Sequence, residues 1–307
     1  MLKILVSDLS KKLYYSGTVA ILGNFDGIHL GHINLLTKLN EIAQNNNYWR
    51  VIILFYPLTH EYLHRENKKS RISLLRDNVL LLKQAQLVDE IVILHFNQHL
   101  LKLTGDDFAA DILVKKLHIN HIVAGPDFSF GYKKSGNLET LHKYDIETTV
   151  LPPYQLNGIN VSSSLIRTLL AEKKFDQAVQ YLGHSITYTG RVVYGQQLGR
   201  TAQIPTVNLN IPNIIPALQG VFLSFVYIDN IKYNTISNIG TRPTVNNSNC
   251  YTIEAHLLNA NVNCYNKIAR VEFIKFVRDE EKFNTSEEMF TQIKKDVEYA
   301  QQYFQTL

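Results

Sequence analysis

The 307-residue sequence has only two cysteines, Cys250 and Cys264, and neither lies in a Cys-x-x-Cys pair. Two cysteines cannot build a disulfide framework, so a reducing cytoplasm is the expected setting. No apolar run approaches the roughly 20 residues of a membrane-spanning helix, which predicts a protein without a membrane partner. The net charge of +4 is small and the basic residues are dispersed, so no nucleic-acid partner is predicted.

The first residues also lack the features of a secretory signal, because their apolar core is short and Asp8 follows it early. Hydrophobic residues make up 45% of the chain and charged residues 19%, which is typical of soluble globular proteins. A chain of 307 residues is long enough for two ordinary domains.

The first half of the chain alternates apolar runs with amphipathic segments. The runs at residues 19–22, 50–56, 90–94 and 121–125 predict strands, and the segments between them predict helices. This alternation indicates an α/β domain with a parallel sheet covered on both faces. Ligands of such sheets bind at the carboxyl ends of the strands.

The second half changes character. Six strand-like runs between residues 189 and 277 are separated by turn residues, which predicts a small antiparallel β-barrel. Asp229-Asn230 suits a hairpin turn between two of them. Thr285 begins a C-terminal helix as its N-cap. The domain boundary is predicted near Gly183–Thr189, giving domains 1–184 and 185–307.

The stretch from Gly23 to His32 follows an apolar strand and leads into a helix. His29 and His32 are three residues apart and share one face of the first helical turn. Unpaired backbone N–H groups at a helix start favour an anion, and Gly31 leaves room for a close approach. This combination predicts a nucleotide-phosphate site rather than two solvated histidines.

Three serines, Ser162, Ser163 and Ser164, stand at the start of a predicted helix, and Arg167 follows one turn later. A helix N-cap needs only one of the three hydroxyls. Three hydroxyls and a guanidinium also suit a polyphosphate. From the residues alone, both interpretations remain open.

Two polar motifs lie within predicted strands of the second half. Thr206 and Asn208 share one face of a strand, and they are either ordinary polar residues or oxygen ligands for Mg²⁺ and phosphate. Glu254 stands inside an apolar strand. It either faces solvent outside the barrel or, if it points inward, acts as a general base.

Two other motifs resemble known signatures only in part. His60-Glu61-Tyr62-Leu63-His64 matches the zinc-protease pattern, but no third histidine follows at the required spacing, so a zinc hydrolase is a weak alternative. Gly195–Thr201 is one residue short of a P-loop and has Arg200 in place of lysine. A true P-loop is therefore not predicted, and a glycine-bearing loop over phosphates stays open.

Taken together, seven motifs in chain order resemble the bacterial bifunctional riboflavin kinase/FAD synthetase family. Gly23–His32 is similar to its Gly-x-Phe-Asp-Gly-x-His-x-Gly-His signature, and Ser162–Arg167 to its Ser-Ser-Thr-x-Ile-Arg. The other motifs are Gly125–Gly131 with Gly136-Asn137, Gly199-Arg200 with Pro205–Asn208, Gly220–Phe222, Asn238–Thr244 and Glu254–Leu258. The resemblance covers nearly the whole chain.

The resemblance implies a Rossmann-like nucleotidyltransferase domain followed by a six-stranded riboflavin kinase barrel. The barrel would phosphorylate riboflavin to FMN with ATP and Mg²⁺, and the first domain would adenylylate FMN to FAD. The residues implied for adenylyl transfer are Gly23, Phe25, Asp26, Gly27, His29, Gly31, His32, Ser162, Ser163, Ser164 and Arg167, with Asp127, Phe128 and Phe130 for the flavin. Those implied for the kinase are Glu254 as catalytic base, Gly199 and Arg200 for ATP, and Thr206 and Asn208 for ATP and Mg²⁺.

Two departures from the family motifs fall in the kinase half, where Gln203 replaces a glycine and Asn259 an aspartate. They leave open an alternative with FAD synthetase activity only and an inactive or regulatory barrel. A flavin sensor without enzymatic activity is a further alternative. The expected partners are the small molecules riboflavin, FMN and ATP, and the expected state is a monomer or weak homo-oligomer.

Overall fold

The structure is a computed structural model that divides into two compact units. The first unit comprises Met1–Lys69 and Asn78–Ser162, and the second comprises Ser70–Asp77 and Ser163–Leu307. The described residues are 2–7, 17–64, 66, 69–194, 206–211, 214–242, 250–258, 260, 262 and 264–306.

The first unit contains a sheet of six parallel strands. They are β1 (Lys3–Ser7), β2 (Thr18–Gly23), β3 (Trp49–Tyr56), β4 (Glu90–His95), β5 (His121–Ala124) and β6 (Glu147–Val150). Their order across the sheet is β1-β4-β3-β2-β5-β6. Ala20, Ile52 and Val92 are fully buried at the centre because both faces of the sheet are covered. The predicted Rossmann-like parallel sheet is confirmed.

Helices connect these strands. They are α1 (Leu30–Asn46), α2 (Thr59–Leu63), α3 (Leu75–Ala85), α4 (Gln98–Lys102), α5 (Gly105–Asp107), a π-helical turn (Phe108–Val114), a 3₁₀ turn (Tyr132–Lys134) and α6 (Leu138–His142). A two-stranded hairpin, β7 (Gln155–Leu156) and β8 (Ile159–Asn160), follows β6.

The strand order places a topological switch point between β2 and β5. From β2 the chain proceeds to β3 and β4 on one side, whereas β5 and β6 lie on the other. The connections that follow these two neighbouring strands run to opposite sides of the sheet. The carboxyl ends of the strands therefore form a crevice, in which such sheets bind ligands. The loops that begin at Gly23 and Gly125 therefore leave the sheet on either side of this crevice.

The second unit is built around a closed barrel. Two helices, α7 (Ser163–Ala171) and α8 (Phe175–Leu182), precede it. Its strands are β9 (Thr187–Val193), β10 (Thr206–Ile211), β11 (Gly220–Ile228), β12 (Ile231–Arg242), β13 (Cys250–Leu257) and β14 (Ile268–Arg278). They pair antiparallel in the order β10-β13-β12-β11-β14-β9, and β9 pairs back with β10. The predicted six-stranded barrel is confirmed.

Local sequence signals act as expected in this unit. Asp229 and Asn230 adopt positive φ angles of 50° and 66°, which a tight hairpin between β11 and β12 requires. The final helix, α9 (Ser286–Gln305), begins where Thr285 Oγ1 accepts a hydrogen bond from the Glu288 N–H at 3.2 Å. Its Ala300 packs on an apolar face of the barrel that includes Leu223 and Ile236.

A short segment from early in the chain belongs to the second unit. Within Ser70–Asp77, the N–H of Arg71 donates to the carbonyl of Ile215 at 2.7 Å. The carbonyl of Arg71 accepts from the Ala217 N–H at 2.7 Å and from the Tyr188 hydroxyl at 3.1 Å. These contacts form an isolated β-bridge between Arg71 and the segment around Pro216, which precedes β11 of the barrel.

Candidate active sites

His29 and His32 occupy the turn between β2 and α1. Gly27 and Ile28 have positive φ angles of 93° and 43°, so the chain reverses sharply before the helix. His29 is the N-cap of α1, and its Nδ1 accepts a hydrogen bond from the His32 N–H at 3.3 Å. The two imidazole rings stack with centroids 3.6 Å apart. The predicted pairing of these histidines on the first helical turn is therefore present.

Burial keeps His32 uncharged. Its pKa is lowered well below the ordinary value of 6.5, first by burial and second by the neighbouring His29. Its Nδ1 has no hydrogen-bond partner among the residues that the structure describes. A neutral imidazole can still donate one hydrogen bond to a phosphate oxygen, and an adjacent anion would raise its pKa.

Phe25 and Asp26 brace this turn from below. Both are buried, at 5% and 2% exposure. The Asn78 side-chain N–H group donates to the carbonyl of Phe25 at 2.6 Å, and the Phe25 ring lies 4.7 Å from that of His32. These two contacts hold Phe25 in the turn, and Asp26 is buried next to it.

Gly31 lies close to two groups of the surrounding protein. A Cβ atom at this position would lie 3.1 Å from the His29 ring and 3.3 Å from the carbonyl oxygen of Val161. Part of the space beside Gly31 is thus occupied by protein atoms, and its role in the close approach of a ligand stays a prediction. Gly23 is less restricted, because its Cβ would meet the Phe25 ring at an ordinary 3.5 Å.

The three residues of the loop after β5 that were predicted to bind the flavin differ in exposure. Asp127 is exposed and Phe128 is half-buried. Phe130 is only 6% exposed and packs between Phe108 and Phe128, with centroids 5.7 and 5.5 Å away. Phe130 thus lies in the core beneath Phe128, and only the first two side chains are open to a ligand.

Three glycines hold this loop against α5. A Cβ at Gly131 would lie 2.5 Å from the backbone nitrogen of Gly105, and the φ angle of Gly131 is +75°. A Cβ at Gly105 would lie 2.5 Å from the nitrogen of Gly136. Both distances are shorter than protein atoms allow, so the close approach depends on the absence of side chains.

The serine motif divides between the two units. Ser162 ends the first unit, whereas Ser163 and Ser164 open α7 in the second. Within the second unit, Arg167 Nε donates to the carbonyl of Ser70 at 2.8 Å. The predicted N-terminal helix position of the serines is confirmed, and their role toward phosphate stays a prediction.

In the barrel, strand register brings the predicted kinase residues together. Glu254 of β13 lies directly opposite Asn208 of β10 on one side and Asn238 of β12 on the other. Thr206 pairs in the same way with His256. Because side chains alternate along a strand, these five residues share one face of the sheet.

That face is on the outside of the barrel, and the part with Asn238, Glu254 and His256 lies beneath α9. Ile253 and Ala255 point the other way and are fully buried. Glu254, His256 and Asn238 line a cavity of about 180 Å³. The other cavity residues are Val221, Ile236, Ser237, Arg278, Glu280, Glu281, Phe283, Met289, Ile293 and Asp296. The side chain of Glu254 thus lies outside the barrel. It enters the cavity between the barrel and α9 and does not simply face solvent.

His256 is a functional candidate that the sequence did not single out. Its Nδ1 lies 2.9 Å from Thr206 Oγ1. Burial lowers the pKa of His256 to about 4, although Asp296 acts in the opposite direction. When Nδ1 of this neutral ring carries no proton, Thr206 donates to it and directs its oxygen lone pairs elsewhere. The sequence did contain one signal for it: His256 follows Glu254 by two positions, which places both on the same face of a strand.

Arg278 and Asp296 form a second unpredicted pair in the cavity wall. Arg278 contacts both oxygens of Asp296, with Nη2–Oδ2 at 2.6 Å and Nε–Oδ1 at 3.1 Å. Gln292 also donates to Asp296 Oδ1 at 2.9 Å. The pair joins β14 to α9, and sequence spacing alone does not reveal such a contact.

Thr206 and Asn208 fit a magnesium ion chemically. Mg²⁺ prefers oxygen ligands and is usually held by few protein groups together with water and substrate phosphates. The hydroxyl and the amide carbonyl on one strand face satisfy this preference. Gly199 and Arg200, predicted to bind the nucleotide beside them, lie outside the described residues, as do Gln203 and Asn259.

The zinc-protease pattern has a structural explanation. Glu61 Oε2 accepts a hydrogen bond from the Leu58 N–H at 3.2 Å, which caps the short helix α2. Among the residues that the structure describes, no group of three or more His, Cys, Asp or Glu side chains is placed to hold a metal ion.

Two family matches divide the chain in the same order as the two folds. Residues 11–165 match the family described as FAD synthetase, and residues 182–304 match the family described as riboflavin kinase.

Curated relatives are similar over nearly their full length. A bifunctional riboflavin kinase/FMN adenylyltransferase of Buchnera aphidicola is 35% identical, covering 96% of each chain. Proteins of the same name from Haemophilus influenzae and Escherichia coli are 32% and 31% identical, with 94% of the present chain covered in both cases.

A solved structure is also similar throughout. A protein from Streptococcus pneumoniae, named a macrolide-efflux protein, superposes with a TM-score of 0.80 at 27% identity, covering 98% of this chain and 99% of its own. In the described part of the present chain, no helix has the length and apolar character to cross a membrane.

Proposed function

The chain belongs to the family of bifunctional riboflavin kinase/FMN adenylyltransferases, and we propose that it makes FMN and FAD at two separate sites. It phosphorylates riboflavin to FMN with ATP and adenylylates FMN to FAD with release of pyrophosphate. The observation that carries the kinase assignment is the alignment of Asn208, Glu254 and Asn238 across three neighbouring strands. Matches to both families favour this function over FAD synthetase alone.

In the barrel, Glu254 acts as the general base. It takes the proton of the ribityl 5′-hydroxyl while that oxygen attacks the γ-phosphorus of ATP, and ADP leaves. Thr206 and Asn208 would hold Mg²⁺, which when bound neutralises charge on the phosphates. Phosphoryl transfer depends mainly on positioning and electrostatics, and the aligned side chains supply the positioning. Gly199 and Arg200 are proposed to cover the nucleotide.

In the first unit, the crevice beside β2 and β5 holds the second ATP. A phosphate oxygen of FMN attacks the α-phosphorus, the bond to the pyrophosphate oxygen breaks, and no side chain needs to serve as nucleophile. His29 and His32 sit at the positive end of α1, where hydrogen-bond donors stabilise the developing charge. Gly23, Phe25, Asp26, Gly27 and Gly31 shape this turn.

Two further groups of residues complete the proposal. Asp127 and Phe128 contact the flavin in the first unit, while Phe130 supports them from the core. Ser162, Ser163, Ser164 and Arg167 are proposed as phosphate ligands on the resemblance of their motif.

The division of activities is proposed at residues 1–184 and 185–307, which the separate family matches support. The proposed partners are only the small molecules riboflavin, FMN and ATP, without nucleic acid or membrane, and the proposed state is a monomer or weak homo-oligomer. The low cysteine content supports the cytoplasm as the compartment.

One experiment tests both activities. The protein is incubated with riboflavin, ATP and Mg²⁺, and riboflavin, FMN and FAD are separated over time. Transient FMN followed by FAD is expected. FAD that forms only from supplied FMN would instead show that the barrel is not a kinase.

A further inference from the structure

The amide of Asn238 is oriented by one neighbour and left with a buried acceptor. Its Nδ2 group donates to Glu280 Oε1 at 2.8 Å. A carboxylate only accepts hydrogen bonds, so the NH₂ group must face Glu280 and the carbonyl oxygen must face away. That Oδ1 atom is buried and has no hydrogen-bond partner among the described residues. A buried acceptor of this kind costs free energy unless a ligand or a water molecule supplies a donor.

The position of Asn238 indicates which group of a ligand donates to its Oδ1 atom. Asn238 lies directly opposite Glu254 across the β12–β13 pair. Side chains at such opposed positions have Cβ atoms about 5 Å apart. A group that donates to Asn238 is therefore adjacent to the hydroxyl that Glu254 deprotonates.

The charge of the cavity wall narrows the choice further. Four acidic residues line it, namely Glu254, Glu280, Glu281 and Asp296. The cation among the lining residues, Arg278, is already bound by Asp296. Phosphate oxygens carry lone pairs and negative charge, so the direct ligand of Asn238 beside Glu280 and Glu281 is better a neutral hydroxyl group than a phosphate oxygen.

From these contacts we infer that Asn238 accepts a hydrogen bond from a ribityl hydroxyl of riboflavin adjacent to the one that reacts. Glu280 acts as a positioning residue that fixes the orientation of the Asn238 amide. This inference rests on the proposed kinase function and adds one residue that contacts the polyol chain and one that orients it.

Gly240 makes the position of Glu280 possible. A Cβ atom on residue 240 would overlap the carboxylate of Glu280. Since the glutamate side chain is flexible, an alanine at this position displaces the carboxylate rather than the barrel. Gly240→Ala is therefore expected to act in the same direction as removal of Glu280.

The test measures steady-state kinase kinetics of the full chain with Asn238→Leu. The KM for riboflavin is expected to rise roughly tenfold to a hundredfold, the effect of leaving a buried hydroxyl without its acceptor. The KM for ATP and the rate of FAD formation from supplied FMN should not change. Asn234→Leu is the matched control, because Asn234 lies on the same strand and is exposed.

Glu280→Ala and Gly240→Ala provide a second measurement, since Glu280 is exposed and its removal leaves no cavity. Each should raise the KM for riboflavin about twofold to tenfold, the contribution of one net hydrogen bond. Glu298→Ala, an exposed position on α9, is the control.

The outcomes separate the inference from the proposed function. If the unaltered protein forms no FMN, the kinase assignment itself fails. If it forms FMN but Asn238→Leu keeps a riboflavin KM within twofold of it, the role of Asn238 is refuted. An equal rise in the KM for ATP would also refute it, because that pattern indicates general disturbance of the barrel.

Discussion

The rings of His29 and His32 stack 3.6 Å apart with their planes 18° from parallel. The contact is local, since His29 caps α1 and His32 lies one turn into it. It orders two hydrogen-bonding groups before any ligand arrives. Preorganised groups of this kind lower the barrier to charge development because they need not reorient during the reaction.

Replacing His32 should remove FAD synthesis selectively. His32→Ala is expected to lower the rate of FAD formation from FMN by about 10²–10³, the usual effect of losing one preorganised donor. FMN formation from riboflavin should be unchanged. His64→Ala, at an exposed position, serves as the control and also tests the zinc alternative. Equal loss of both activities in folded His32→Ala would contradict two separate sites.

Replacing Glu254 should have the opposite selectivity. Glu254→Gln keeps the shape of the side chain but cannot accept a proton, so FMN formation should fall by about 10²–10⁴. FAD formation from supplied FMN and ATP should continue. Both rates are read from chromatographic separation of the flavins. A variant that still phosphorylates riboflavin at the normal rate would exclude Glu254 as the base.

The contact between Gly105 and Gly136 should tolerate no side chain. Gly105→Ala places a Cβ against the backbone of Gly136, and the overpacking should destabilise the first unit by about 1–3 kcal/mol or more. Gly125→Ala is the matched control, because a Cβ there meets no atom within 4 Å. Thermal unfolding should separate the two variants clearly. Similar midpoints would show that the loop can move away from α5.

Asp77 predicts an unusual pH dependence of stability. It is 1% exposed, its Oδ2 accepts from the Thr189 N–H at 3.3 Å, and burial raises its pKa to about 6. The folded state therefore binds a proton more tightly than the unfolded chain, in which the pKa is near 3.8. Protonated Asp77 therefore contributes roughly 3 kcal/mol to the free energy of unfolding below about pH 4. This contribution is lost as pH rises through 6.

Asp77→Asn removes this ionisation while keeping an acceptor for Thr189. The midpoint of urea unfolding should increase at pH 8, and it should increase much less at pH 4.5. Glu298→Gln, on the exposed side of α9, should leave both midpoints unchanged. An Asp77→Asn variant that is no more stable at pH 8 than the unaltered protein would contradict a buried, raised-pKa carboxyl.

Elements set by local sequence could be predicted. The turn and helix start at Gly23–His32, the hairpin at Asp229-Asn230 and the cap at Thr285 follow from side-chain and φ preferences within a few residues. The apolar runs likewise predicted the parallel strands, because buried strands need continuous apolar sequence.

Features that depend on pairing between distant parts of the chain could not be predicted from the sequence. The alignment of Asn208, Glu254 and Asn238 is set by strand register, and a shift of one residue would have turned Glu254 to the other face. The burial of Phe130 depends on packing with Phe108 and on the glycine contacts beside it. Neither the register nor these contacts has a signature in a single sequence.

The bridge formed by Arg71 limits how this enzyme can be divided. A fragment that begins at residue 185 would lack Ser70–Asp77, which supplies hydrogen-bond partners to four of its residues, Tyr188, Thr189, Ile215 and Ala217. A fragment cut at this boundary would thus leave four hydrogen-bonding groups without their partners. Although its families occupy successive stretches of sequence, the polypeptide is interleaved, so exchanging one half between relatives requires transplanting this early octapeptide with the barrel.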